Sequence, residues 1–194
     1  MTHGSDIDSY LIAIASMTDG IQHTPDDGSL TSSTILEIIR HGQTVTPTIS
    51  AFKLAWSNPA VMMFLRGTTN PGNSSLSNVY ANVAAMHRAG VKILAGTDAV
   101  GTSIPNFTYP YGISLHRELQ NLVDIGMSPA EAINAATQIP ATFHRLGNRG
   151  VIAHGKRADL VLLNSNPLIN ISNTIDIASI WVGGRRYPNV AKSG

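Results

Sequence analysis

The chain has 194 residues, a formal net charge of +1 and no cysteine. Hydrophobic residues make up 43% and charged residues only 13%. This excludes a disordered chain, a disulfide framework and any thiolate metal site. So even a charge balance gives no electrostatic case for a nucleic-acid partner or an acidic membrane surface. The opening MTHGSDIDSY lacks a basic region followed by an apolar one, and no stretch reaches the ~18 apolar residues of a membrane span. The expectation is a soluble, cytoplasmic chain.

In chain order, residues 6–17 are expected to form a helix capped by Asp6, with Tyr10, Leu11, Ile14 and Met17 at helical spacing. GIQHT follows as a short strand ending at His23, then a Pro25-Asp26-Asp27-Gly28 turn. Residues 31–41 read as the next helix, stopped by Gly42, and TVTPTIS (44–50) as a β-branched strand. Residues 51–75 are expected to be irregular around a short helix at 60–66. A helix over 76–90 ends at Gly90. VKILAGTD (91–98) reads as a strand buried on both faces. Helices are expected over 112–125 and 129–138, the second with Ser128 as N-cap and Pro129 at its first position. From Gly150 the pattern becomes strands and turns, GVIAHGKRADLVLLN and ASIWVGGRRY, with Gly183-Gly184 as a hairpin turn. The fold class is therefore α/β, with two parts, 1–148 and 149–194.

The strand–helix alternation of the first part is the rhythm of a parallel sheet or barrel. Strand ends then carry the polar groups Thr2-His3, Gln22-His23, Thr48-Ser50 and Thr97-Asp98, where barrel enzymes place their chemistry. His3, His23 and Asp98 combine imidazole nitrogen with carboxylate oxygen, a donor set for zinc or a similar divalent ion. The same residues also fit strand-end groups satisfied by hydrogen bonds. His41, His87, His144 and His154 fall at helix ends or turns and read as structural. The pairs Lys156-Arg157 and Arg185-Arg186 are too short for a nucleic-acid patch.

Several segments in order, THGSDIDSYLIAIASMTDGIQHT, TVTPTIS, AGVKILAGTDA and the stretch from Leu115 through Pro167, resemble the C-terminal half of the amidohydrolase superfamily, in its imidazolonepropionase and Xaa-Pro dipeptidase-like branch. The resemblance covers nearly the whole chain. It implies a partial TIM-type (β/α) barrel, strands five to eight, followed by part of a small β-sandwich. It also implies a divalent metal, zinc before manganese or iron, held by His3, His23 and Asp98. Asp98 would double as general base, and His116 would be a conformational or substrate-side residue; a helix residue near the dipole is the alternative for His116. The implied reaction is metal-assisted hydrolysis of an amide-type C–N bond in a small-molecule amide or dipeptide. Residues 99–112, with Tyr109 and Tyr111, would help to line the pocket.

The sequence departs from that family pattern. No H-x-H pair occurs in it, and the family's bridging lysine is absent. Only four barrel strands can be counted, so the expectation is a half that is not an efficient hydrolase by itself. Three readings follow: a fragment of a longer amidohydrolase, whose missing N-terminal half completes it; a non-catalytic half-barrel for binding or assembly; or one half of an active barrel supplied to a partner chain or, by oligomerisation, to a second copy of itself.

Overall fold

A computed structural model describes residues 1–67, 69–99 and 109–187. It is α/β, with a parallel sheet followed by an antiparallel one. The first part runs β1 (Thr2–His3), α1 (Ile7–Ala15), β2 (Gly20–Gln22), α2 (Ser32–Arg40), β3 (Thr44–Thr46), α3 (Ile49–Ser57), α4 (Pro59–Arg66), α5 (Leu76–Ala89) and β4 (Lys92–Ile93). Helices α6 (Ile113–Asp124), α7 (Pro129–Ala135) and α8 (Gln138–Phe143) follow. Strands β5 (Leu160–Leu163), β6 (Ile177–Val182) and β7 (Arg185–Tyr187) close the described chain, with a 3-10 turn at Ile171–Ile175 before β6. Among the described residues no helix is long and apolar enough to cross a membrane.

Strands β1 to β4 are neighbours in sequence order and all parallel, with Ile21 facing Thr2 on one side and Val45 on the other, and Val45 facing Ile93. Parallel pairing needs a crossover between strands, and the helices supply it. Their apolar faces bury Tyr10, Ile38, Val79, Val83, Met86 and Leu122 against Ile21, Val45 and Ile93 in one core. Each such side chain contributes about 1.5–3 kcal/mol of burial. Strands β5, β6 and β7 pair antiparallel, and the β6–β7 turn is Gly183-Gly184, both at positive φ (58° and 82°), the conformation a tight hairpin demands.

Local chemistry explains most of the helix boundaries. The Asp6 carboxylate accepts from Ser9 N–H at 2.9 Å, and Ser9 Oγ lies 3.4 Å from Asp6 N–H, closing a capping box on α1. Gly90 ends α5 in the left-handed region, at φ 87°. Ser128 and Glu131 form a second capping box, with Pro129 at the first position of α7.

Five sequence expectations are corrected. TVTPTIS is a strand only to Thr46; Thr48 turns into the left-handed region (φ 52°) and Ile49 already begins α3. Residues 51–75 hold the expected helix at 60–66 as α4, one residue earlier at Pro59 because Asn58 caps it, accepting from Ala60 N–H at 3.0 Å, and also most of α3, which was not expected. Strand 91–98 shrinks to β4: Leu94 N–H still donates to Val45 C=O, but Ala95 N–H turns to Ala135 C=O on α7. The GVIAHGKRADLVLLN segment is strand only at Leu160–Leu163. On α1 the buried face is Tyr10, Ala13 and Ile14, while Leu11 and Met17 are exposed, Met17 lying beyond the helix cap.

Candidate active site

The C-terminal ends of the parallel strands form one rim. His3 closes β1, His23 follows β2 directly, Thr48 lies two residues past β3, and Asp98 lies five past β4. The ladder continues to that rim, since His23 N–H donates to Thr46 C=O at 2.8 Å and Gly4 N–H to Gln22 C=O at 3.1 Å. His23, Thr48 and Asp98 all sit at positive φ (70°, 52° and 51°). Non-glycine residues in that region carry strain of order 1–3 kcal/mol and tend to gather at functional sites. Gly96 permits the approach of the Asp98 segment, for a Cβ there would run into Thr46 Cγ2 on β3.

The rim brings His3 and His23 together. Their ring centroids are 4.8 Å apart, and His23 Nε2 lies 3.0 Å from His3 Nδ1. The other nitrogen of His23, Nδ1, shares a hydrogen bond of 2.7 Å with Thr48 Oγ1. Burial holds the His23 imidazole below its ordinary pKa, the Asp98 carboxylate works against that, and His3 adds to it. Asp98 is thus in electrostatic reach of His23, but its side chain is exposed. Among the described residues, no three histidine, aspartate or glutamate side chains are gathered into one metal-binding group.

The pair fits a metal in its donor chemistry. The separation of the facing nitrogens is that of a hydrogen bond, and it also lies near the ~3.3 Å at which two imidazole nitrogens would stand on one tetrahedral zinc once that proton is released. A ligating histidine commonly spends its second nitrogen on a fixed oxygen partner, and Thr48 Oγ1 occupies that place behind His23.

His116 is not drawn into the rim pair. It lies in the first turn of α6, and its Nδ1 is 3.0 Å from Thr174 Oγ1 in the 3-10 turn. Thr174 Oγ1 also donates to Ile171 C=O at 2.8 Å. A hydroxyl that gives its proton to Ile171 must accept from His116, so this ring is held with Nδ1–H. Burial lowers the pKa of His116. Tyr109 is buried, and burial, then the charge of Glu118, pushes its phenol up to about 12, whereas Tyr111 is exposed. Residues 100–108, expected to line a pocket, lie outside the described residues, as do residues 188–194 of the second part. A cleft of about 340 Å³ opens between α3 and α6, lined in part by Ser50, Lys53, Tyr109, Arg117 and Asn121.

Two rim-supporting residues escaped the sequence reading. Thr48 was seen only as a polar strand end. Glu118 was not singled out, yet it is fully buried on α6 with Ser114, Leu119, Asn121 and Leu122. Its signal was a lone carboxylate on the same helical stripe as core leucines.

Comparison with known proteins places this geometry among relatives. The model of the amidohydrolase family matches residues 1–191. The imidazolonepropionase of Deinococcus deserti is 31% identical over 101 residues, 50% of this chain and 24% of that protein. The crystal structure of a Xaa-Pro dipeptidase with bound methionine superposes with a TM-score of 0.80 at 26% identity, over 95% of this chain and 43% of that one. Molinate hydrolase superposes with a TM-score of 0.73 at 25% identity, over 95% and 41% respectively. The chain spans less than half the length of each of these relatives.

Proposed function

The chain belongs to the amidohydrolase family, and on that premise we propose that it carries part of the metal site of a hydrolase acting on amide-type carbon–nitrogen bonds. Strands β1 to β4 are then strands five to eight of a (β/α) barrel. Strands β5 to β7 are part of the small β-sandwich, with the division at 148/149. The observation that carries the reading is the His3 Nδ1–His23 Nε2 approach of 3.0 Å at the strand rim, with Thr48 behind His23.

His3 and His23 would hold the ion, with Asp98 as the third protein group; zinc suits this nitrogen and oxygen set. When bound, a divalent ion lowers the pKa of a water toward ~7 and polarises the scissile carbonyl. Asp98 takes the proton of the attacking water and returns it to the leaving nitrogen, as a general base and then an acid. Its exposed carboxylate is free to face a substrate, and the positive φ of Asp98 turns the chain back at the rim. Thr48 holds the His23 ring. His116 takes the structural of its two roles and ties α6 to the 3-10 turn through Thr174.

Small amides and dipeptides are the substrate class, in keeping with relatives named as an imidazolonepropionase and a Xaa-Pro dipeptidase. The full rate belongs to a protein with the whole ligand set, supplied by an N-terminal half or by association of chains. The test is hydrolysis of Xaa-Pro dipeptides and of cyclic and aryl amides by the zinc-supplemented chain. The expected result is turnover that needs the metal, is slower than that of full-length relatives, and is lost in Asp98→Asn. Turnover that survives chelation or Asp98→Asn contradicts the assignment. A second reading, a non-catalytic half-barrel, draws on the absence of a gathered three-ligand group among the described residues; it expects no metal binding.

A further inference from the structure

Helix α3 begins in an unusual way. The first four N–H groups of any helix lack partners inside it, and a threonine just before a helix normally offers its hydroxyl to one of them. Thr48 makes no such side-chain bond. Its backbone C=O accepts from Ala51 N–H at 3.0 Å and from Phe52 N–H at 3.3 Å, but its hydroxyl is turned to His23. The two remaining donors go to a residue about seventy positions away. Ile49 N–H donates to Glu118 Oε1 at 2.9 Å, and Ser50 N–H donates to Glu118 Oε2 at 2.7 Å. The Thr48 C=O thus meets Ala51 and Phe52, and the side chain of Glu118 from α6 meets Ile49 and Ser50.

Burial pushes the Glu118 carboxyl above its ordinary pKa, and the donors of Ser50, Ile49 and Asn121 work against that and hold the group in place. It is fully buried, and Asn121 Nδ2 also points at Oε2, 3.5 Å away, while donating to Ser50 Oγ at 2.9 Å. Asn121 Oδ1 in turn accepts from Lys53 Nζ and from Tyr80 Oη, at 3.0 and 3.1 Å. The carboxylate and the positive end of the α3 dipole also attract each other. A group this costly to bury is tolerated where it meets several donors.

We propose that Glu118 is a positioning residue for His23: by capping α3 from a distant helix, it releases the Thr48 hydroxyl to orient the His23 ring. The path runs from Glu118 through two backbone N–H groups to Thr48, and from Thr48 Oγ1 to His23 Nδ1, leaving His23 Nε2 turned toward His3. Without Glu118, Ile49 and Ser50, the two residues after Thr48, present bare N–H groups that compete for its hydroxyl. His23 then loses the oxygen behind it. The consequence for catalysis rests on the proposed function; the coupling itself does not.

The test uses the 194-residue chain with ¹⁵N-labelled histidine, free of metal and substrate, at a pH where histidine is neutral. Long-range proton–nitrogen spectra report which nitrogen of each ring carries the proton. Thr48→Val should shift the His23 signals from a fixed tautomer toward an averaged one, and Thr48→Ser, which keeps the hydroxyl, should restore them. Glu118→Ala should shift His23 in the same direction as Thr48→Val, and His3 with it through their shared hydrogen bond, with the other five histidines unchanged. Glu118→Gln, which keeps the shape and one acceptor oxygen, should give a smaller shift of the same sign, and it decides the matter if the alanine variant does not fold. A His23 signal unchanged in Glu118→Gln overturns the proposal, whether or not the Ile49 and Ser50 amides move. A change spread over all seven histidines overturns it too, because Glu118 then only supports the fold. No outcome depends on hydrolysis, so failure here and failure of the hydrolase reading are distinguishable.

Discussion

Gly96 has no room for a side chain: an added Cβ would meet Thr46 Cγ2 on the neighbouring strand. Gly96→Ala must push β3 and the Asp98 segment apart, and overpacking of this kind costs about 1–3 kcal/mol. A urea titration of the two chains checks it, and an unmoved midpoint would contradict the close approach. His116 has a pH signature. Burial depresses its folded pKa below the ordinary 6.5, so the unfolded chain takes up the proton first. Its contribution is therefore intact above about pH 6.5 and is lost as the pH falls toward the folded value, levelling off below it. Between about pH 8 and about pH 5.5 the wild type should lose more stability than His116→Gln; equal losses would mean that His116 is not held neutral by its burial. The placement of His3 and His23 at strand ends was legible in the strand–helix alternation of the sequence. The Thr48–His23 bond was not, since it depends on a left-handed turn that no side-chain pattern announces.

At the scale of elements, the capping rules carried the start of α7 and the whole of α5 from sequence to structure, while the helix expected over 129–138 stops at Ala135 and α8 starts at Gln138. Ser128 Oγ accepts from Glu131 N–H at 3.2 Å, and the Glu131 carboxylate accepts from Ser128 N–H at 2.7 Å. The Ser128 hydroxyl, donating to Glu131 Oε2 at 2.7 Å, and then the Ser128 N–H hold Glu131 below the usual carboxylate range. Ser128→Ala removes one of the two arms and should lower stability by about 1 kcal/mol, read as a shift in the thermal midpoint; no shift would show that Pro129 alone suffices to start the helix. Helix α3 shows the opposite case. Its start is capped by Glu118 from α6, a contact made only in the folded chain, so the local sequence TVTPTIS reads as a strand. Strand β4 was overread for a related reason. Val91, Ile93, Leu94 and Ala95 are buried or half-buried whether or not they pair, but Ala95 N–H finds its acceptor on α7 and leaves the sheet.

At the scale of the whole molecule, the parallel and antiparallel parts share a core. Ile171, in the 3-10 turn that leads to β6, is buried in the same cluster as Val83, Leu119 and Leu122. Ile171→Ala should then cost about 2–5 kcal/mol and lower the stability of the parallel sheet as well as the turn. Amide exchange at β2 and β3 measures that, and unchanged exchange there would make the two parts independent. The alternation of strands and helices, and the change of character after Gly150, were both visible in the sequence because hydrophobic periodicity records them. Which strand-end side chains meet was not: His3 and His23 pair, and among the described residues no third imidazole or carboxylate joins them in one group, because that depends on how far each strand end travels beyond the sheet.

The central claim is that the His3–His23 pair is a metal-binding arrangement. Titration of zinc into the full chain by calorimetry, beside His23→Ala and Asp98→Ala, tests it most directly. The expected result is saturable binding by the wild type, weakened at least about tenfold in His23→Ala, as loss of a ligand or its partner typically does, and weakened also in Asp98→Ala. Zinc binding that is absent, or that is equal in all three chains, would contradict it.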